Sequence, residues 1–143
     1  MPRRWPRDLK WFALFLGAWA VALSGRIVLR DVAVYSPLQL EAVLFGMKFD
    51  AYSAHMVLAL RAMTMFTIAL GIAAERRWGL LIAFGYLLEV VMSNLIFMMT
   101  YMNDVGEGSN VRSAGIVGIL AVLGLLYLWI RARDLLVIDT LGS

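Results

Sequence analysis

From Leu80 to Met102 the chain carries a single charged residue, Glu89, in an otherwise apolar run. About 20 apolar residues suffice for a helix to cross the hydrocarbon layer of a bilayer. Inside lipid every backbone N–H and C=O needs a partner within the protein, which leaves helix as the structure open to such a run. Three more runs of similar character extend from about Trp11 to Leu29, Ala54 to Ala74 and Ser113 to Ile130. Composition points the same way: 62% of residues are hydrophobic and 16% charged, against roughly half and a quarter in soluble domains. The mean hydropathy is +0.80. The sequence therefore predicts an all-α, polytopic membrane protein: one domain over residues 1–143, with four transmembrane helices in a bundle.

The chain has no cysteine, so disulfides, thiolate chemistry and Cys-ligated metal centres are excluded. Its net charge is +3, but the basic residues stand at helix ends rather than in a recognition run. That distribution argues against a nucleic-acid partner. The opening "MPRRWPRDLKWFALFLGAWAVALSG" has the basic-then-apolar form of a signal peptide; it is read here as an uncleaved first helix. Arg3, Arg4, Arg7 and Lys10 precede the first run, Arg76 and Arg77 join the second and third, and Arg131 and Arg133 follow the fourth. With alternating spans these fall on one side, which the positive-inside rule assigns to the cytoplasm. Trp11, Trp78 and Trp129 lie at the same boundary, where indoles favour the headgroup level. The expected location is a bacterial inner (cytoplasmic) membrane with both termini cytoplasmic.

Two connecting segments carry patterns of their own. Ser36, Pro37 and Gln39 have the form of a capping box with proline at the first helical position. Leu40, Val43, Leu44 and Met47 follow helical spacing. The expectation is an amphipathic helix of about residues 37–48 lying in the outer interface. By contrast "NDVGEGSNVR" reads as a solvated turn; Asp104, Glu107 and Asn110 lack the strict spacing of a calcium loop.

Among ionisable residues near or within the spans, Arg26 can snorkel to the outer interface. His55 is a titratable group at the outer rim and, as the sole histidine, cannot build a bis-histidine haem or metal site. Arg61 and Glu89 are the informative pair, because a charged side chain near the centre of a span costs roughly 2.5–3.5 kcal/mol on insertion scales. Arg61 stands about 16 positions before Arg77 and Glu89 about 12 after it, a difference of roughly one helical turn at 1.5 Å per residue. Two long side chains can close that gap. On the wheel Tyr86, Ser93 and Thr100 share the Glu89 side, and Thr64 lies one turn from Arg61. Asn94 is nearly level with Arg61 but turned off that stripe. Arg61, Glu89, Ser93, Asn94, Tyr86 and Thr64 thus form an expected intramembrane polar seam. It is either a structural tie that fixes register or a protonatable site of a carrier. The neighbouring cation favours the tie, since it favours an ionised carboxylate.

Small residues recur at four-residue spacing, at Ala13–Gly17, Ala18–Ala22 and Ala20–Ser24 in the first run and Ala114–Gly118 in the fourth, and allow close helix approach. The turn Glu75-Arg76-Arg77-Trp78-Gly79 resembles one that follows the second span of small bacterial four-helix membrane proteins; the resemblance implies that architecture and no functional residues. No Ser/His/Asp set, HExxH or glycine-rich phosphate loop occurs. The expected function is accordingly a non-catalytic multi-pass accessory subunit or scaffold, packed against other membrane proteins within an energy-converting complex. The alternative is a small homo-oligomeric transporter or channel using Arg61 and Glu89. No enzyme activity, metal or cofactor is predicted, and contact with a quinone, haem or pigment stays open. The expected partners are the lipid bilayer and other membrane subunits or further copies of the chain.

Overall fold

The computed structural model describes residues 5–32, 41–104, 106 and 108–137. Four helices run along the chain: α1 (Arg7–Val32), α2 (Ala51–Ala73), α3 (Arg77–Tyr101) and α4 (Gly108–Val137). Between α1 and α2 lies an antiparallel hairpin of β1 (Glu41–Leu44) and β2 (Met47–Asp50). Among the described residues, three helices are long and apolar enough to cross a membrane, and they are α2, α3 and α4. The helices outrun the apolar runs because backbone hydrogen bonding continues through polar ends; α4 extends past Arg131 and Arg133.

The hairpin corrects the expected interfacial helix. Residues 41–50 are strand and turn, and residues 37–40 lie outside those described. Short apolar runs fit both helical and strand periods. Leu40, Val43, Leu44 and Met47 match the first, while Ala42 and Leu44 match the second, across from Phe49 and Met47. Tertiary contact decides between them. Ala42, Leu44 and Phe49 pack on Ala54, Val57 and Leu58 of α2, leaving Val43 and Lys48, which are cross-strand partners, on the opposite side. The turn residues Phe45 and Gly46 both have positive φ, 49° and 78°. That is the backbone of a two-residue type I′ turn, which curls with the twist of the flanking strands.

Helix α1 packs along α2, α2 along α3, and α3 along α4. On α1 the buried residues Leu9, Ala13, Leu16 and Ala20 recur at helical spacing and form its inner face. The main core joins Leu9, Ala13 and Leu16 to Ile68, Ala69 and Ile72 of α2, Leu80 and Ala83 of α3, and Leu128 and Ala132 of α4. All four helices therefore meet at the end where α2 turns into α3.

That turn is closely made. Glu75 N–H donates to the Ile72 carbonyl at 3.0 Å and Arg76 N–H to the Gly71 carbonyl at 2.8 Å, the two bonds of a Schellman cap. Glu75 takes the left-handed position, φ 56°, where glycine is usual. Gly71 and Gly79 let the helices approach until a Cβ on Gly79 would stand 2.6 Å from the Gly71 carbonyl carbon. Two ion pairs fasten the same end: Lys10 to Glu75 at 2.6 Å and Asp8 to Arg131 at 2.7 Å. Both are substantially exposed.

Candidate functional site

Arg61 and Glu89 meet. One guanidinium nitrogen, Nη2, donates to both carboxylate oxygens, at 3.3 and 3.4 Å. The sequence argument put the two residues about one helical turn apart in depth, counted from Arg77, and the side chains close that gap. Both side chains are mostly buried, at 17% and 15% exposure. The geometry is nevertheless loose. Strong charge-assisted bonds run near 2.7–2.9 Å, and arginine usually grips a carboxylate with two nitrogens in parallel. Here a single nitrogen is shared, and Arg61 Nε is buried with no hydrogen-bond partner among the described residues.

Glu89 has a second task. Its Oε1 accepts the backbone N–H of Phe45 at 3.4 Å. One turn along α3, the fully buried Ser93 accepts the N–H of Gly46 through Oγ at 3.1 Å. The hairpin tip therefore lies against α3, with two turn amides held by Glu89 and Ser93. The Gly46 bond is buried, where an N–H without a partner would cost of order 1–3 kcal/mol; the Phe45 bond is longer and exposed. A Cβ on Gly46 would overlap the Ile96 side chain, so glycine is needed at the tip for space as well as for φ.

The remaining seam residues part company. Asn94 Nδ2 donates to the Val90 carbonyl at 2.7 Å and lies beside Gly118 of α4. Thr64 Oγ1 donates to the Leu60 carbonyl of its own helix at 2.9 Å, as Thr100 does to Ile96 at 2.8 Å. Tyr86 is the exception: it packs against the main core and stays within electrostatic reach of Arg61 and Glu89. His55 stands toward the hairpin end of α2, its ring centroid 6.3 Å from that of Tyr52. The structure thus gathers Arg61, Glu89 and Ser93 into one cluster and adds the hairpin amides. It sends Asn94 to the α3–α4 seam and leaves Thr64 bonded within α2.

Beside the pair is a cleft of about 220 Å³, bounded by the hairpin, α2, α3 and α4. Its polar wall consists of Lys48, Arg61, Asn94, Asn110 and Ser113. Lys48 reaches it through strand alternation: Ala42, Leu44 and Phe49 take the α2 side, so Val43 and Lys48 take the other. Sequence reading missed Lys48 and the two turn amides. The available signal was Gly46 between two short β-prone segments, "EAVL" and "MKFD". No group of three His, Cys, Asp or Glu residues placed to hold a metal occurs among the described residues.

No family model, curated protein or solved structure matches this chain.

Proposed function

We propose that the chain is a non-catalytic multi-pass subunit or scaffold of a bacterial inner membrane, in which α1 supplies a fourth crossing and the four helices form a bundle. Both termini are then cytoplasmic, on the side of the α2–α3 turn, where Arg76, Arg77, Arg131 and Arg133 gather with Trp11, Trp78 and Trp129. The reading rests on one observation above others: Glu89 is committed to Arg61 and to the hairpin tip, an assignment that suits a tie. Most of the apolar surface is left for lipid or other membrane proteins. Within its span only 17% of α4 is buried, against 39% of α2 and 28% of α3, so of these three α4 has most surface to offer a neighbouring subunit.

A photo-crosslinking residue placed on α4 at Ile119 or Leu123, both exposed, tests this in native membranes. One discrete protein adduct at these positions, with none from exposed Leu14 on α1, is the expected result. Lipid adducts alone, with monomeric behaviour in mild detergent, would overturn it.

A second reading, a small homo-oligomeric carrier, is favoured by the polar cleft beside Arg61. It requires Glu89→Gln to alter the pH dependence of transport in reconstituted vesicles. Unchanged transport in that variant removes the reading.

A further inference from the structure

We propose that the hairpin lines a water-filled inlet, open on its own side of the membrane and ending near mid-depth at Arg61 and Glu89. The inference goes beyond the subunit reading and holds equally for a subunit or a carrier. It rests on α2, α3 and α4 crossing a bilayer.

Depth is the first observation. Glu89 stands 12 residues from each end of α3 (Arg77–Tyr101), about 18 Å at 1.5 Å per residue. Ser93 stands 8 residues from the Tyr101 end, about 12 Å. The hairpin tip is bonded to both residues through the Phe45 and Gly46 amides. A hydrocarbon layer of roughly 30 Å, centred on α3, therefore encloses the tip to a depth of about 10 Å. Strand and turn backbone persists at such depth only where protein buries it or where it borders water. Ala42, Leu44 and Phe49 put one face of the hairpin on α2. The other face, with Val43 and Lys48, turns to the cleft, and water there meets the second condition.

The cleft has the walls of an inlet. On α4 it is lined by Asn110, Ser113, Ala114 and Val117, which recur at helical spacing and form one face. That face starts in the first turn of α4 and runs inward for about 10 Å, with its polar members at the mouth. Arg61, 10 residues into α2 and so about 15 Å down, lies at the inner end. Lys48, Asn110 and Ser113 already interact within the chain, so the walls are settled polar surface that water wets, not donors awaiting a ligand. Cavities with polar walls hold water, at roughly 30 Å³ of liquid per molecule, and a cleft of about 220 Å³ takes several. Beyond Arg61 the path closes on the main core, where Ile68, Ile72, Leu80 and Leu128 are fully buried. A wet inlet also accounts for charge at this depth. Arg61 and Glu89 both keep some exposed surface, and ionised groups within spans face such cavities.

Because the chain has no cysteine, single introduced thiols report water directly. Val43→Cys and Val117→Cys place one on either wall of the cleft, and Ile119→Cys places a control in the apolar groove between α3 and α4. Val117 and Ile119 lie near the same depth on opposite faces of α4, and Ile119 is the more exposed, 64% against 44%. Sealed membrane vesicles of each orientation are treated with an impermeant sulfonated methanethiosulfonate, and detergent-solubilised samples define full labelling. A thiol reacts as its thiolate, which forms in water and not in hydrocarbon. From the hairpin side, Val43→Cys and Val117→Cys are expected to react at least about tenfold faster than Ile119→Cys, the reverse of the exposure order on α4. From the turn side neither should react. The two inlet positions belong to different elements, so if one variant melts below the parent chain the other still decides. Folded inlet variants protected from both sides overturn the proposal, as does labelling from both sides. Ile119→Cys labelled as fast as Val117→Cys overturns it together with the membrane crossing on which it rests.

Discussion

The two ends of this molecule solve the same problem, holding helices together, by opposite means. At the turn end all four helices converge on apolar residues, Gly71 and Gly79 bring α2 and α3 into near backbone contact, and the ion pairs sit outside. At the hairpin end α2 and α3 are joined through a mostly buried ion pair, two β-turn amides and a serine, with a polar cleft alongside. The turn end gains chiefly from contact area, its exposed ion pairs adding little. The hairpin end depends on a few polar atoms, and removing Glu89 or Ser93 leaves Arg61 or the Gly46 N–H unmatched. Buried polar groups are costly mainly when left unmatched, so the ends should respond to mutation in different ways.

The largest effect is expected from Gly79→Leu. Its Cβ would stand 2.6–2.8 Å from Gly71 and Ile72 backbone atoms, which have no rotamer by which to yield. A loss of about 3 kcal/mol or more is expected, the upper range of overpacking, read as a fall in melting temperature in detergent. Unchanged melting would mean that the glycine contact does not hold this end together.

Next comes Glu89→Ala, which strands the mostly buried Arg61 and removes the acceptor of the exposed Phe45 N–H. Breaking a fully buried pair costs about 3–5 kcal/mol; this pair keeps some exposure, so about 2–3 kcal/mol is expected. The sharper version adds Arg61→Met to Glu89→Leu. If the pair is a tie, the double variant should regain most of the loss, since apolar replacement of a buried pair is often near neutral. A double variant no better than Glu89→Ala alone would show that stranding a charge is not the source of the cost.

Gly46→Ala tests the hairpin end without touching a charge. The left-handed φ and the overlap with Ile96 predict a loss of about 1–2 kcal/mol. Faster amide exchange over residues 41–50, with α2 and α3 unchanged near Gly71, is the expected signature. Uniform loosening of the whole chain would count against two separable ends.

The smallest effect belongs to Lys10→Met. The Lys10–Glu75 contact is short, but its side chains are 46% and 29% exposed, and such pairs contribute about 0–1 kcal/mol. A melting temperature close to that of the parent chain, with the residual difference lost at high salt, is expected. A large loss would make the outer charges part of the turn end's strength.

How far the sequence could be read follows the same division. The apolar runs revealed three of the helices directly, because lipid leaves an uncharged segment of that length no other way to satisfy its backbone. Counting residues from Arg77 also placed Arg61 and Glu89 within reach of each other, since two helices joined by a tight turn share one depth scale. The hairpin was not legible. Leu40, Val43, Leu44 and Met47 fit a helical face as well as Ala42, Leu44 and Phe49 fit a strand face. Neither period carries information about α3, which holds the tip. For the same reason Ser93 was recognised as a polar seam residue, but its partner, a backbone amide forty-seven positions earlier, has no side-chain signature.

The sequence by itself determined that the chain is a membrane protein with a charged pair in its interior, because hydropathy, charge placement and helical rise are local properties. Only the tertiary structure decided what surrounds that pair. The turn amides, the positive φ at Phe45 and Gly46, and the placing of Lys48 beside Arg61 depend on contacts between segments far apart in the chain. Their energies are exchanged among backbone atoms that look alike in every sequence.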